Sequence, residues 1–254
     1  MNEILYYDLK NVNALTPGLA AQVCREIGRR IVGGYCREGE LIEDETKLAG
    51  RYGVSKSVIR EAVKLLVGKG LLEVRRGSGT RVRPRTSWAL LDDDVLAWHL
   101  SVDIKPDFLR QLMEIRRVME PKAAAWAAEN GTKAQHQKIC EAQDRMERSG
   151  ASAEDYVVAD AEFHRAIFRA ANNEILRSME GVIFSALLSS IRLTNADPRD
   201  NPQSIEFHRE VLDAILARDA GTAEEKMFLH LENTSERLGA ALEDRARQGG
   251  KTSF

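Results

Sequence analysis

Residues 45–85, ETKLAGRYGVSKSVIREAVKLLVGKGLLEVRRGSGTRVRPR, constrain this chain more than any other stretch. The order is a short helix, a tight turn, a second helix, then a two-stranded hairpin with a basic tip. Leu48 and Ala49 give the first helix its apolar side, and Gly53 ends it. Ser55 is placed to accept a hydrogen bond from the free N–H groups that open the next helix. In that helix Val58, Ile59, Ala62, Val63, Leu65 and Leu66 form a core-facing stripe at 3.6-residue spacing, with Lys56, Ser57, Arg60 and Lys64 mostly off it. Gly70 stops the helix, Leu71 to Val74 reads as a strand, and Gly77-Ser78-Gly79 turns the chain into Thr80 to Arg83. This is the pattern of a winged helix-turn-helix, and it implies binding to DNA.

Charge points the same way. Between Arg51 and Arg85 there are ten Lys or Arg against two acids, Glu61 and Glu73. Residues 18–86 hold 15 basic and 8 acidic side chains, a net +7; the whole chain is −2, so the remainder carries −9. A basic module on an acidic body is the footprint of a phosphate-binding head on a soluble carrier. An isolated basic helix is commonly just a solvated face. Here the helix order, the glycine turn and the basic wing coincide.

At 254 residues the chain has room for one small and one medium domain, each with its own core. With 43% hydrophobic and 30% charged residues it has an ordinary globular composition. No apolar run approaches the ~20 residues of a membrane span, and no signal-peptide h-region opens the chain. Met1 to Thr16 reads as a loose leader. Cys24, Cys36 and Cys140 are odd in number and lack CxxC spacing, which argues against a disulfide framework and for a reduced, cytoplasmic protein.

The expected fold class is mainly α: an N-terminal winged helix-turn-helix over residues 14–84, a linker with a short helix over 85–104, and an all-helical bundle over 105–247. Gly18 to Val32, with Val23, Ile27 and Ile31 at fourfold spacing, would complete a three-helix head. Asp92 to Leu100 reads as a short helix with acids at its positive end; Trp98 is expected to pack and His99 to face solvent. Beyond it, helices are expected over Pro106–Asn130, Lys133–Ser149, Ala153–Ala171, Glu174–Leu193, Gln203–Arg218 and Thr222–Arg247. Gly131, Asn172-Asn173, the stretch from Asn195 to Pro202 and Gly221 punctuate them.

In the bundle, Asp160 and His164 are four apart and share a helix face. His208 and His230 lie on two further helices, and apolar neighbours such as Phe163, Ile167, Val211 and Met227 suggest that all three faces turn inward. One carboxylate and three imidazoles would suit Zn²⁺, Mn²⁺, Ni²⁺ or Fe²⁺. On spacing alone, satisfied core or surface histidines are the plainer account. His136, in KAQHQK, reads as surface. Arg116 and Arg192 are candidate partners for a carboxylate, by the fork geometry of guanidinium. An ion pair with a neighbouring acid, such as Glu120 for Arg116, is the alternative.

The stretch GELIEDETKLAGRYGVSKSVIREAVKLLVGKGLLEVRRGSGTRV resembles the GntR-family winged-helix motif over its full length. MEIRRVMEPKAAAWAA, DAEFHRAI, EFHREVLDAI and HLENTSERL resemble the all-helical effector domain of the FadR-type (FCD) branch, so that the likeness covers about residues 14–243. RTSWALLDDDVLAWHL looks like the sugar-acid, galactonate-type regulators. The resemblance implies that Ser55, Lys56, Ser57 and Arg60 touch DNA and that Arg76 and Gly77 form the wing tip. It implies that Asp160, His164, His208 and His230 ligate a metal and that Arg116 meets the effector. The chain departs from the family at Ile42-Glu43, where Leu-Pro is frequent. It departs again at Thr46, where a basic contact residue is common, and at Lys56, where Arg is commoner.

The expected function is therefore a homodimeric transcription regulator, a repressor rather than an activator, acting on a pseudo-palindromic operator and answering to a small carboxylate such as a sugar acid. Arg60 and Lys56 are expected at guanine edges, and Lys64, Arg75, Arg76 and Arg81 at phosphates. No catalytic residue is expected. The rival reading is a metal-dependent enzyme acting on a small carboxylate with an appended DNA head. It lacks a nucleophile motif, an HExxH and a phosphate loop. A third reading is a DNA-organising protein with no effector.

Overall fold

The computed structural model describes residues 18–102, 106–149, 152–181, 184 and 202–249. The chain divides into two compact units between residues 104 and 105. Among the described residues no helix is long and apolar enough to cross a membrane.

The first unit holds α1 (Leu19–Val32), α2 (Glu45–Tyr52), α3 (Lys56–Gly68), β1 (Leu72–Arg75), β2 (Gly79–Val82) and α4 (Asp93–Ser101). Asp44 caps α2 by accepting the N–H groups of Thr46 and Lys47, and Gly53 ends it in left-handed backbone at φ 65°. Ser55 caps α3 through the Val58 N–H. Ile59, Ala62, Val63 and Leu66 face the core from α3, while Leu65 is exposed, contrary to expectation. The i, i+3, i+4, i+7 row is already filled by those four, and Leu65 falls beside it.

β1 and β2 pair antiparallel with Leu72 opposite Val82 and Arg75 opposite Gly79. The outer edge of β2 is covered by the incoming loop: Val82 N–H donates to the Glu40 carbonyl, and Ile42 N–H to that of Thr80. β2 is thus paired on both sides near the base of the wing, which removes one open edge.

Residues beyond the wing fold back onto this unit. Val95 and Trp98 of α4 enter the same core as Ile27, Ile59 and Leu71. Trp98 lies so close to α1 that a Cβ on Gly28 would stand 2.3 Å from its ring. Gly70, at φ +75°, leaves room for the Ser87 carbonyl, 2.1 Å from where a Cβ would be. Lys69 Nζ meets Asp92 at 2.7 Å and Asp94 at 2.8 Å. His99, expected at the surface, is buried, its ring 5.8 Å from that of Trp88, because α4 packs with more than one face covered.

The second unit holds α5 (Pro106–Asn130), α6 (Lys133–Arg148), α7 (Ala153–Ala170), α8 (Glu174–Ser178), α9 (Pro202–Leu216) and α10 (Ala220–Gly249). α5 packs on α7, α9 and α10, and α6 on α7 and α9. Ala123, Ala124, Ala127 and Ala128 are fully buried, and side chains this small let helices approach closely. The helix expected from Glu174 begins there, but α8 closes at Ser178; most of the expected remainder lies outside the described residues.

Two local expectations change. Gly221 does not break the chain: Arg218 takes φ 61°, Asp219 caps α10 by accepting the Thr222 N–H, and Gly221 is helical. His136 is buried, not exposed; its Nε2 lies 2.8 Å from the Ala127 carbonyl and donates to it. Gly131 makes that possible, since a Cβ there would lie 2.3 Å from the same Nε2. The short α5–α6 connection brings His136 to the last turns of α5, which sequence polarity does not show.

Candidate nucleic-acid interface and metal centre

Lys56, Arg60 and Lys64 stand one turn apart on the exposed face of α3, with Ser57 beside them. Ser55 Oγ, the helix cap, also lies 2.8 Å from Ser57 Oγ. Thr46 is exposed at the start of α2, its N–H held by Asp44. Arg60 is restrained: its Nε–H donates to Glu45 Oε2 at 2.8 Å. In the wing, Arg76 and Gly77 are exposed at the turn, with Gly77 at φ 76°. Arg75 is exposed and pairs with Glu73 at 2.9 Å. Arg81 is half-buried and donates from Nη1 to the Gly39 carbonyl at 2.9 Å, so it helps hold the wing to the preceding loop.

In the bundle, α7, α9 and α10 bring His164, His208 and His230 together, with one ring nitrogen of each within 4.8 Å of the others. All three are buried. Asp160 Oδ1 lies 3.3 Å from His164 Nε2 and 3.4 Å from His208 Nε2, and the two Nε2 atoms are 3.2 Å apart. Donor atoms bound ~2.0–2.1 Å from one tetrahedral ion stand about 3.3 Å apart. His208 Nδ1–H donates to the Ser204 carbonyl at 2.6 Å, which turns Nε2 toward the cluster. His164 Nδ1 lies 2.5 Å from Glu120 Oε2, off the line of a hydrogen bond. The carboxylate oxygen of Asp160 has no hydrogen bond of its own. Two imidazole nitrogens and a carboxylate oxygen this close need a proton or a metal ion among them. The donor set fits a divalent metal ion.

The electrostatics agree. Burial disfavours charge on His164, but Glu120 and Asp160 outweigh it and raise its pKa to about 9. Burial and the neighbouring imidazoles of His208 and His164 push His230 well below the usual imidazole value. Burial likewise opposes ionisation of Asp160, yet the imidazoles of His208 and His164 hold it well below the usual carboxylate range.

Arg116 lies on α5, fully buried, and its Nε–H donates to Glu120 Oε1 at 2.6 Å. Glu120 therefore stands between the guanidinium and His164. Burial opposes its ionisation, but Arg116 and then His164 hold its pKa at about 2. Arg192, the other expected effector residue, lies outside the described residues.

A model of the gntR family of bacterial regulatory proteins matches residues 19–82, and a model of the FCD domain matches residues 111–233. The galactonate operon transcriptional repressor of Escherichia coli (strain K12) is 30% identical over 214 residues, which make up 84% of this chain and 93% of that protein. The chain belongs to the GntR family.

As a GntR regulator with an FCD domain it is a DNA-binding transcription regulator, and its wing and helix-turn-helix form the head that binds operator DNA. The HTH-type transcriptional regulator LutR of Bacillus subtilis (strain 168) is 29% identical over 221 residues, covering 84% of this chain and 98% of that protein. A solved structure titled for Lar, which controls expression of the Listeria monocytogenes agr system, shares the fold at TM-score 0.63. It is 19% identical and spans 89% of this chain and 99% of that one.

Sequence reading missed several residues around the centre of this GntR protein. Glu120 was visible only as a neighbour of Arg116, one turn away; its contact with His164 crosses between helices. Ser204, whose carbonyl orients His208, and Tyr156, whose hydroxyl donates to Ser204 Oγ at 2.7 Å, gave no signal at all. Glu45, which accepts from Arg60 Nε–H, gave no signal of that contact either.

Proposed function

We propose that this regulator represses a sugar-acid catabolic operon in the cytoplasm, as a homodimer on a pseudo-palindromic operator, and leaves the DNA when a small carboxylate binds the helical unit. The observation that carries the reading is the buried convergence of His164, His208 and His230 beside Asp160 in a chain similar to a galactonate operon repressor. His164, His208 and His230, with Asp160, would hold the ion. Zn²⁺ is favoured because the 3.2–3.4 Å spacings match a tetrahedral set, while Mn²⁺, Ni²⁺ and Fe²⁺ accept the same donors. Such an ion supplies a Lewis-acid anchor for a carboxylate. Arg116, and Arg192 as the second cation, would orient that carboxylate.

In the head, Arg60 and Lys56 would read guanine edges and Ser55, Ser57 and Thr46 would make neutral contacts. Lys64, Arg75, Arg76 and the Gly77 backbone would hold phosphate. Release requires the effector to bind the DNA-free form more tightly than the DNA-bound form.

The test is a gel shift on duplexes from upstream of the regulator's own gene and its neighbours, with and without a panel of sugar acids. Release by one acid, galactonate or gluconate among them, is the expected result. Specific binding that no acid disturbs discards the sugar-acid effector.

A further inference from the structure

The row Lys56, Arg60, Lys64 on α3 is chemically uneven. Lys56 and Lys64 make no ion pair among the described residues, whereas Arg60 is joined to a carboxylate on a different helix. Glu45 is the first residue of α2, and its backbone is fixed by the Asp44 cap, which accepts two N–H groups at 2.9 Å each. Its side chain therefore starts from an anchored point. It takes the Nε–H of Arg60, not a terminal nitrogen.

That choice has consequences. A guanidinium held at Nε keeps Nη1 and Nη2 as a forward fork, the shape that meets O6 and N7 of guanine together. A carboxylate at the same place repels phosphate, so it lowers affinity for the backbone while it orients the base-reading group. An unrestrained arginine would reach the nearest phosphate on any sequence. The pair is exposed, with side chains 63% and 42% accessible, and exposed pairs add little to stability. The pair thus has little to do for the fold and much to do for where the arginine points.

We propose that Glu45 is a positioning residue for sequence discrimination: it holds Arg60 toward base edges and keeps it off phosphate. This rests on the reading that Arg60 contacts a base, and the experiment separates the two. The full-length protein selects its best duplex from a random DNA library, and binding to that duplex and to a scrambled one of equal composition is measured across a salt series. Circular dichroism and melting temperature check the fold of each variant.

Glu45→Ala is expected to lower the ratio of selected to scrambled binding about tenfold, the order of one lost base contact. On scrambled DNA it is expected to bind more tightly, with the slope of log K against log salt steeper by about 0.9, one added phosphate contact. Glu45→Gln keeps an acceptor for Nε–H and should retain more discrimination than the alanine variant. A merely damaged helix would flatten the salt slope on both duplexes. Arg60→Ala with unchanged discrimination, or a library that yields no preferred duplex, overturns the base-contact reading and this inference with it. Arg60→Ala with lost discrimination beside an unchanged Glu45→Ala overturns the role of Glu45 alone.

Discussion

His164 and His208, 44 residues apart in sequence, face each other through Nε2 atoms 3.2 Å apart, with the Asp160 carboxylate against both. On the far side of the rings, the Ser204 carbonyl accepts from His208 Nδ1–H and the Glu120 carboxylate lies against His164 Nδ1. Such outer contacts fix which nitrogen faces the centre. A proton on His164 or a metal ion among these atoms makes the arrangement favourable.

Metal removal should therefore weaken the second unit. At ~1,000 times Kd a bound ion adds about 4 kcal/mol to the folded state. His208→Ala should lose both the bound metal, read by elemental analysis, and the rise in melting temperature on adding Zn²⁺. An unchanged metal content in that variant would rule out His208 as a ligand.

Metal uptake should release a proton. With the His164 pKa raised to about 9, its ring is protonated near pH 7.5 in the metal-free protein, and a bound ion displaces about one proton. Calorimetry in two buffers of different ionisation enthalpy reads this directly. The same shift sets a stability trend for metal-free protein. Its pKa lies above the ~6.5 of an unfolded imidazole, so the contribution is complete below about pH 6.5 and is lost as pH rises through about 9. A melting temperature of chelated protein that rises steadily over that interval would contradict it.

Gly70→Ala should destabilise the head by at least about 2 kcal/mol, since it meets both φ +75° and a backbone carbonyl that cannot rotate away. Urea denaturation of the full chain checks it. Wild-type stability would mean that residues 85–90 do not lie against the end of α3.

Arg76→Ala should reduce affinity about equally on every DNA sequence and flatten the salt slope by about 0.9. A loss confined to one operator sequence would instead make Arg76 a base reader.

The local elements were legible because their determinants are local. Ser55 and Gly53 bracket α3 and α2 by cap chemistry, Gly77 and Gly79 turn the wing, and the α3 stripe needs only its own 3.6-residue period. Asp160 and His164 share a face for the same reason. Leu65 failed because periodicity locates a face only to within part of a turn, and His136 and His99 failed because burial depends on what packs against a face. Those outcomes were set by the Ala127 carbonyl closing on His136 across Gly131, and by α4 returning to the head around Trp98 and Lys69.

The sequence by itself determined the winged head, the order of the helices and the histidines eligible to bind metal, since each is encoded within a turn or two of chain. Only the tertiary structure decided that His164, His208 and His230 meet, that Glu120 stands between Arg116 and His164, and that Glu45 holds Arg60. Those contacts join helices 15 to 66 residues apart, and separation along the chain carries no information about approach in space until the cores of both units have formed.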